Sequence, residues 1–90
     1  MNKADLIDRV AEETGLTKVA VSAMIEATMQ CVIDAVAGGE SVTLSGFGTF
    51  ESRARKARTG RNPRTGAAVP IAPTTVPSFR PGKAFKAAVD

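Results

Sequence analysis

Basic residues are concentrated in the second half of the chain, where their number and spacing could bind a polyanion. Residues 1–51 hold three basic and eight acidic side chains and carry −5, whereas residues 52–90 hold nine basic and one acidic side chain and carry +8. This division favours one polyanion-binding surface on an ordinary scaffold, and a phosphate backbone best matches such density. The densest group is Arg53, Arg55, Lys56, Arg58, Arg61 and Arg64. We expect these side chains to contact phosphates, although a solvated strand face is the simpler alternative.

A second basic group lies near the C-terminus and comprises Arg80, Lys83 and Lys86. Lys83 and Lys86 are three residues apart, so they would share one face of a short helix. Lys3 lies at the predicted start of the first helix, where the helix dipole disfavours a cation, and this placement hints at an external anion. We assign all four side chains to the predicted nucleic-acid surface.

The segment Gly60-Arg-Asn-Pro-Arg-Thr-Gly66 is typical of a turn, because Asn-Pro starts turns and a glycine flanks it on each side. Pro63 would then lie at the tip of a hairpin, between Arg61 and Arg64. On these residues alone, a turn proline without further function is the favoured interpretation. Asn62 and the arginines are the plausible donors to base edges.

The composition argues against catalysis. The chain has no histidine, one cysteine and no paired carboxylates in its basic half, which leaves little for acid–base or nucleophilic chemistry. Gly46-Phe47-Gly48 lacks the third glycine of a dinucleotide loop and the lysine of a P-loop, so we expect a tight turn there. We therefore predict a protein that is not an enzyme and that uses neither a cofactor nor a metal. Cys31 lies in an apolar helical segment and is expected to be a buried free thiol.

Apolar periodicity predicts two helices in the first half of the chain. Asn2 suits the N-cap of a helix over residues 3–13, and Thr17 suits the N-cap of a second helix that ends at Gly38-Gly39. The apolar stripe of the second helix is wide, which predicts contact with more than one neighbour. We interpret the pair as a packed αα-hairpin and not as a helix-turn-helix reader, because after Lys18 the second helix carries only acidic charges.

Strand patterns dominate the second half. Residues 41–45 and the segment from Thr49 alternate like half-buried strands, and residues 69–76 are typical of the returning strand of a hairpin. Prolines in the returning strand exclude a central position in a sheet but allow a two-stranded ribbon. Pro81 suits the start of a short last helix over residues 83–89.

These elements predict one domain over residues 1–90, with a nucleic-acid-binding β-arm at 53–76 and a dimerisation body formed by 1–52 and 77–90. The body would hold only about 65 residues, and a core of that size is usually marginal alone. A homodimer that buries the apolar faces of both copies is the expected solution, and a monomer with an internal core is the alternative. The residues assigned to the core or the dimer interface are Val32, Val36, Leu44, Phe47, Phe50 and Phe79.

The N-terminus is charged, so it does not resemble a signal peptide. No apolar run approaches the roughly 18 residues that a membrane span requires. We therefore expect a soluble, cytoplasmic protein that makes no membrane contact.

Three segments together resemble the HU and integration host factor family of bacterial histone-like proteins. They are Gly46-Phe-Gly-Thr-Phe50, Gly60-Arg-Asn-Pro-Arg-Thr-Gly66 and Phe79-Arg-Pro-Gly-Lys83, and the resemblance extends over the whole chain. It implies an α+β fold: an intertwined dimer with a helical base, an antiparallel β-sheet saddle and a protruding two-stranded β-ribbon arm per subunit. It also implies that the proline matching Pro63 intercalates between base pairs from the minor groove, as HU and integration host factor are known to do. Arg61 and Arg64 would then bind phosphates or the groove floor while this rigid, apolar ring enters.

The resemblance implies architectural, largely sequence-independent binding and bending of double-stranded DNA, with nucleoid association, nucleoid compaction and DNA protection. Bent, nicked or gapped DNA should be preferred, because its deformation costs less energy. One alternative is a subunit of a site-specific DNA-bending heterodimer like integration host factor. Another is an assembly module whose basic arm binds an acidic protein, and RNA is a further possible ligand.

Overall fold

Three helices and five strands make up an α+β chain, which a computed structural model describes over residues 1–90. In chain order the elements are α1 (Lys3–Thr14), α2 (Lys18–Ala37), β1 (Val42–Leu44), β2 (Gly48–Arg55), β3 (Arg58–Arg61), β4 (Ala68–Ile71), β5 (Thr74–Pro81) and α3 (Lys83–Val89). All strand pairs are antiparallel. The chain divides into two units, Met1–Asp34 and Ala35–Asp90. The predicted α+β class is confirmed.

Reciprocal hydrogen bonds explain where α1 begins. The Asn2 side chain accepts a hydrogen bond from the Asp5 backbone N–H at 2.9 Å, and the Asp5 carboxylate accepts one from the Asn2 backbone N–H at 3.1 Å. This capping box satisfies two backbone donors at the helix start. Gly15 ends the helix with a φ of 73°, a left-handed conformation that glycine adopts without steric cost. The predicted cap and the helix over residues 3–13 are confirmed, with one further residue at the C-terminal end.

Thr17 caps α2 as predicted, because its side-chain oxygen accepts a hydrogen bond from the Ala20 backbone N–H at 3.1 Å. Val21, one turn later, is 1% exposed, and Ala11 of α1 is the other buried hydrophobic residue. Side chains of both helices also line an open apolar hollow of about 240 Å³, formed by Val10, Thr14, Leu16, Val21, Met24, Ile25, Thr28 and Met29. The two helices pair as predicted, but they bury few side chains by themselves.

Most of the apolar surface of α2 stays exposed in the single chain. Ile33 is 58% exposed and Met24 is 48% exposed, while Val32 and Val36 are half-buried. Cys31 is exposed, so the expectation of a buried thiol is wrong for the single chain. The physical reason is that the apolar stripe is wider than the area that the chain itself can cover.

By length and composition, α2 could cross a membrane, since its 20 residues include an 18-residue window with no more than two charged side chains. The expectation that no apolar segment approaches membrane-spanning length is therefore wrong. The expectation was based on uninterrupted apolar runs. In α2 a few uncharged polar residues interrupt the apolar ones, but they lower the mean hydropathy too little to exclude a membrane span. A helix that is apolar on most sides is also typical of a protein core, so this property assigns no location.

The three-stranded sheet has the order β1-β2-β5 and a different chemistry on each face. Phe50 pairs with Val42 on one side and with Phe79 on the other, so these three side chains share one face. One residue along, Thr49 pairs with Arg80, and their side chains point to the opposite face. One face is therefore apolar and the other polar and basic.

The four phenylalanines form a cluster on the apolar face and join α3 to the sheet. Ring centroids lie 4.8 Å apart for Phe50 and Phe79, and 5.2 Å apart for Phe47 and Phe85 of α3. Phe47 remains 45% exposed and Leu44 remains 43% exposed, so the cluster is only partly covered. The predicted assignment of the three strand-flanking phenylalanines to an apolar core is consistent with this packing, which leaves room for a further apolar neighbour.

Two glycines shape the turn between β1 and β2, as predicted. Gly46 has a φ of 81°, which favours glycine. Gly48 is buried beneath β5, and a Cβ atom there would lie 2.5 Å from the Phe79 ring and 2.6 Å from the Arg80 carbonyl oxygen. The close approach of the strands therefore depends on a missing side chain.

The predicted limbs of the hairpin are interrupted. β2 ends at Arg55 and β3 begins at Arg58, while the returning limb is split into β4 and β5 by Ala72 and Pro73. Pro73 has no backbone N–H and cannot donate to a strand ladder, which explains the break on its side. The last helix occupies residues 83–89 as predicted, but Pro81 ends β5 and Gly82 is the N-cap.

We expect Gly48→Ala to destabilise the fold by about 1–3 kcal/mol, because the added methyl group overlaps backbone as well as a ring. Denaturant unfolding at one fixed protein concentration measures this difference. The matched control is Ser41→Ala, an exposed position before β1 where we expect a change within about 0.5 kcal/mol. Equal unfolding midpoints for the parent and Gly48→Ala would contradict the packing described at this strand crossing.

Candidate nucleic-acid interface

Within the predicted β-arm of residues 53–76, the strands β3 and β4 form a separate two-stranded hairpin, and from here on we call this hairpin the arm. Residues 53–55 and 74–76 belong instead to the ladder between β2 and β5. Its register pairs Arg58 with Ile71, Gly60 with Val69, and Arg61 with Ala68. Because side chains alternate along a strand, Arg58 and Arg61 project from opposite faces of the arm. The arm therefore presents positive charge on both of its faces.

Little apolar surface is buried within the arm. Val69 is 42% exposed and Ile71 is 36% exposed. The Ile71 side chain lies across Gly60, where a Cβ atom would come within 2.7 Å of the Ile71 Cδ1 atom. A two-stranded ribbon with so small an apolar contact is marginally stable in water.

Local hydrogen bonds define the tip of the arm. The Asn62 side-chain oxygen accepts a hydrogen bond from the Arg64 backbone N–H at 2.8 Å, and the Gly66 N–H donates to the Asn62 carbonyl oxygen at 2.8 Å. Gly66 has a φ of 70°, which closes the turn. The Arg61 guanidinium donates to the Gly66 carbonyl oxygen at 3.1 Å. The exposed Pro63 stands at the apex of this braced turn.

The tip contacts give Asn62 a structural role in addition to the predicted one. We predicted this residue as a donor to base edges, and its side-chain oxygen, which is an acceptor, is used to build the turn. Only its side-chain amide nitrogen is left without a partner in the chain. Asn62 therefore supports the geometry around Pro63, in addition to any contact that its amide group makes.

The polar face of the three-stranded sheet forms a second basic region next to α3. A hollow of about 520 Å³ is lined by Thr43, Leu44, Ser45, Gly46, Gly48, Thr49, Arg53, Ser78, Phe79, Arg80, Pro81, Gly82 and Lys86. Three predicted cations, Arg53, Arg80 and Lys86, thus lie around one concave surface. Lys83 is exposed at the start of α3 but does not line the hollow.

Ion pairs divide the basic residues into two groups. Arg80 pairs with Glu51 at 2.9 Å, Lys18 with Asp8 at 3.2 Å, Arg9 with Glu13 at 3.5 Å, and Lys3 with Glu26. The side chains that form no ion pair are Arg53, Arg55, Lys56, Arg58, Arg61, Arg64, Lys83 and Lys86. An external anion meets no carboxylate competitor at these eight positions.

Two of the predicted cations are therefore already occupied. Lys3, in the first unit, pairs with Glu26, so an external anion that binds Lys3 must compete with this carboxylate. Arg80 is held by Glu51, a partner 29 residues away that sequence reasoning missed. The alternation of residues along the strand did place Glu51 on the same face as Arg53. It did not show that Arg80 would lie beside Glu51, because that depends on the register between β2 and β5, which the sequence does not state.

Comparisons with known proteins agree with this geometry. The family model for "Bacterial DNA-binding protein" matches residues 1–90. The DNA-binding protein HU of Lactococcus lactis is 54% identical over 98% of this chain and 97% of its own length, and HU of Nostoc sp. is 50% identical over 96% and 92%. An Anabaena HU–DNA cocrystal structure matches with a TM-score of 0.95 and 49% identity, covering 99% of this chain and 97% of that one. The chain therefore belongs to the family of bacterial DNA-binding proteins, among whose members is HU.

Proposed function

We propose that the chain is an architectural protein that binds and bends double-stranded DNA with little sequence preference. The observation that carries the proposal is the arm, whose cations form no ion pair and whose apex is the exposed Pro63. The similarity to an HU chain crystallised with DNA supports DNA as the polyanion. The proposed contact residues are Lys3, Arg53, Arg55, Lys56, Arg58, Arg61, Asn62, Pro63, Arg64, Arg80, Lys83 and Lys86.

Affinity comes from the phosphate backbone in this mechanism. Each exposed cation that meets a phosphate releases a condensed counterion, and this gain does not depend on base sequence. The arm contributes cations on both faces, so it can follow a groove with phosphates on either side. The minor groove offers few features that distinguish bases, which accounts for the proposed weak sequence preference.

Bending comes from the tip. The Pro63 ring is apolar, rigid and without an N–H, so it can enter between base pairs without leaving a buried donor unpaired. HU and integration host factor are known to insert such wedges from the minor groove. The Asn62 and Gly66 hydrogen bonds hold the ring at the apex, and Arg61 and Arg64 flank it. Unstacking costs energy that added protein–DNA contacts offset.

A homodimer is the proposed functional unit, and residues 1–52 with 77–90 are its proposed body. The single chain buries only Ala11 and Val21 among its hydrophobic residues. Large apolar side chains on α2 and in the phenylalanine cluster remain exposed, and such surface is typical of a subunit interface. An intertwined dimer would cover both and would place two arms on one DNA molecule.

The proposed cellular role follows from bending without strong sequence preference. Such a protein would associate with the nucleoid in the cytoplasm, compact DNA and protect it. A site-specific heterodimer subunit, an acidic protein partner and an RNA ligand are the competing functions, and each gives a different result in the binding measurements that follow.

Nicked duplex should bind more tightly than intact linear duplex of the same length, because a nick removes part of the bending cost. Fluorescence titration of both duplexes over a series of salt concentrations measures this. The logarithm of the binding constant should fall linearly with the logarithm of salt concentration, with a slope of about −0.9 per phosphate contact. Equal affinity for the two duplexes would contradict the wedge mechanism.

The same titrations, together with footprinting on random DNA fragments, separate the alternatives. Protection of discrete sites on mixed DNA fragments would favour a site-specific subunit. Tighter binding to RNA than to DNA of equal length would favour an RNA ligand. A shallow salt dependence with weak DNA binding would favour an acidic protein partner.

Pro63→Ala should reduce the DNA bend angle while changing the dissociation constant by less than roughly tenfold, since the cations supply most of the affinity. Energy transfer between dyes at the two ends of a short duplex measures the bend. Pro70→Ala is the matched control, because Pro70 lies in the same arm opposite Thr59 but away from the tip, and we expect the parent bend angle. An unchanged bend angle in Pro63→Ala would remove Pro63 from the mechanism.

Sedimentation equilibrium should give twice the 9.3 kDa chain mass at micromolar concentration. Val32→Asp should weaken this dimer and lower its unfolding temperature, because a charge would be buried in the proposed interface. Val19→Asp is the control on the same helix, since Val19 is 82% exposed at its first turn. A folded parent with the mass of one chain would contradict the dimer.

A further inference from the structure

Glu51 is an acidic residue in an otherwise basic surface. It is the only carboxylate side chain between Glu40 and Asp90 in the sequence. Both of its oxygens face the Arg80 guanidinium, with Nε to Oε1 at 2.9 Å and an NH2 nitrogen to Oε2 at 3.4 Å. A two-point contact of this kind fixes the guanidinium more firmly than a single contact does.

The Glu51–Arg80 pair differs from the other ion pairs in its burial. The Glu51 side chain is 24% exposed and the Arg80 side chain 63%, whereas in each of the other three pairs both side chains are more than half exposed. A carboxylate that is packed into a sheet cannot move away as freely as one on the exposed surface of a helix. Glu51 is therefore a partly buried negative charge beside a more exposed cation.

The strand register places this charge within the proposed DNA surface. Arg80 pairs across the strands with Thr49, and Glu51 and Arg53 follow on the same face of β2. Arg53 and Arg80 line the same hollow as Lys86. A phosphate that approaches Arg80 must therefore compete with Glu51 for the guanidinium.

We propose that Glu51 limits the affinity for DNA, because it competes with DNA phosphates for Arg80. This inference rests on the proposed DNA-binding function. In the free protein the carboxylate occupies Arg80, and on binding the ion pair is weakened while the carboxylate stays near the phosphates. Both effects reduce affinity, and only the first requires Arg80.

A double-mutant cycle isolates the competition. The dissociation constant for one intact duplex is measured for the parent, Glu51→Gln, Arg80→Gln and the double variant. Glutamine keeps the shape of glutamate but removes its charge. If DNA breaks the ion pair, Glu51→Gln tightens binding more when Arg80 is present than when it is absent. The reason is that Glu51 has no guanidinium to compete for once Arg80 has been replaced.

We expect Glu51→Gln to tighten binding on the order of fivefold in the presence of Arg80. The ratio of its effects with and without Arg80 should be roughly two- to fivefold, as for the loss of one exposed ion pair. The magnitude of the salt slope should also rise by about 0.9 if Arg80 gains one phosphate contact.

Glu40→Gln is the matched control for charge alone. Glu40 lies in the same unit, is exposed and forms no ion pair. Glu40→Gln changes the net charge by the same amount as Glu51→Gln but breaks no ion pair. Binding should tighten less than with Glu51→Gln. The cycle is also run with Glu51→Thr, a good strand former, so that a folding defect of one replacement does not decide the result.

Three results would overturn the inference: equal effects of Glu51→Gln with and without Arg80, equal effects of Glu51→Gln and Glu40→Gln, or weaker binding by Glu51→Gln. The last would mean that Glu51 positions Arg80 for its DNA contact. Each of these leaves DNA binding by the parent intact. A parent that binds no DNA would instead overturn the proposed function itself.

Discussion

The pairing of β2 with β5 is the constraint on which the rest of the second unit, Ala35–Asp90, depends. It joins eight residue pairs, from Gly48 opposite Pro81 to Arg55 opposite Thr74. This register puts Phe50 opposite Phe79 on one face and leaves the other face polar and basic. A slip of one residue would send each side chain of one strand to the opposite face and mix the two chemistries. The apolar cluster, the basic hollow and the point where the arm departs are thus consequences of one ladder.

The arm and the sheet would contribute differently to the proposed binding and bending of DNA. The sheet is joined to α3 by aromatic packing, whereas the arm buries little and is defined mainly at its tip by the Asn62 turn. Its limbs can adjust to a ligand while Pro63 keeps its place at the apex. The arm and the sheet also differ in ion pairing, because the arm cations have no carboxylate partner whereas Arg80 on the sheet pairs with Glu51.

Features that depend on neighbours in the chain were predicted from the sequence. The caps at Asn2 and Thr17 and the turn at Gly46 need only local hydrogen bonds or backbone freedom, and each is present in the structure. The density of cations in residues 53–64 is a property of composition, so predicting it does not require correct strand bounds. The breaks beside residues 57 and 73 were missed, because the alternating pattern continues across them although Pro73 cannot donate to the ladder.

The sequence by itself determined which segments form helices, where the chain turns, and that a basic hairpin with a proline at its tip would form. These outcomes follow from capping, backbone freedom and charge, which act over a few residues. Only the tertiary structure decided that Arg80 is held by Glu51, and that Cys31 and much of α2 remain uncovered by their own chain. Such outcomes depend on strand register and on the area available for burial, which are set by residues far apart in the chain.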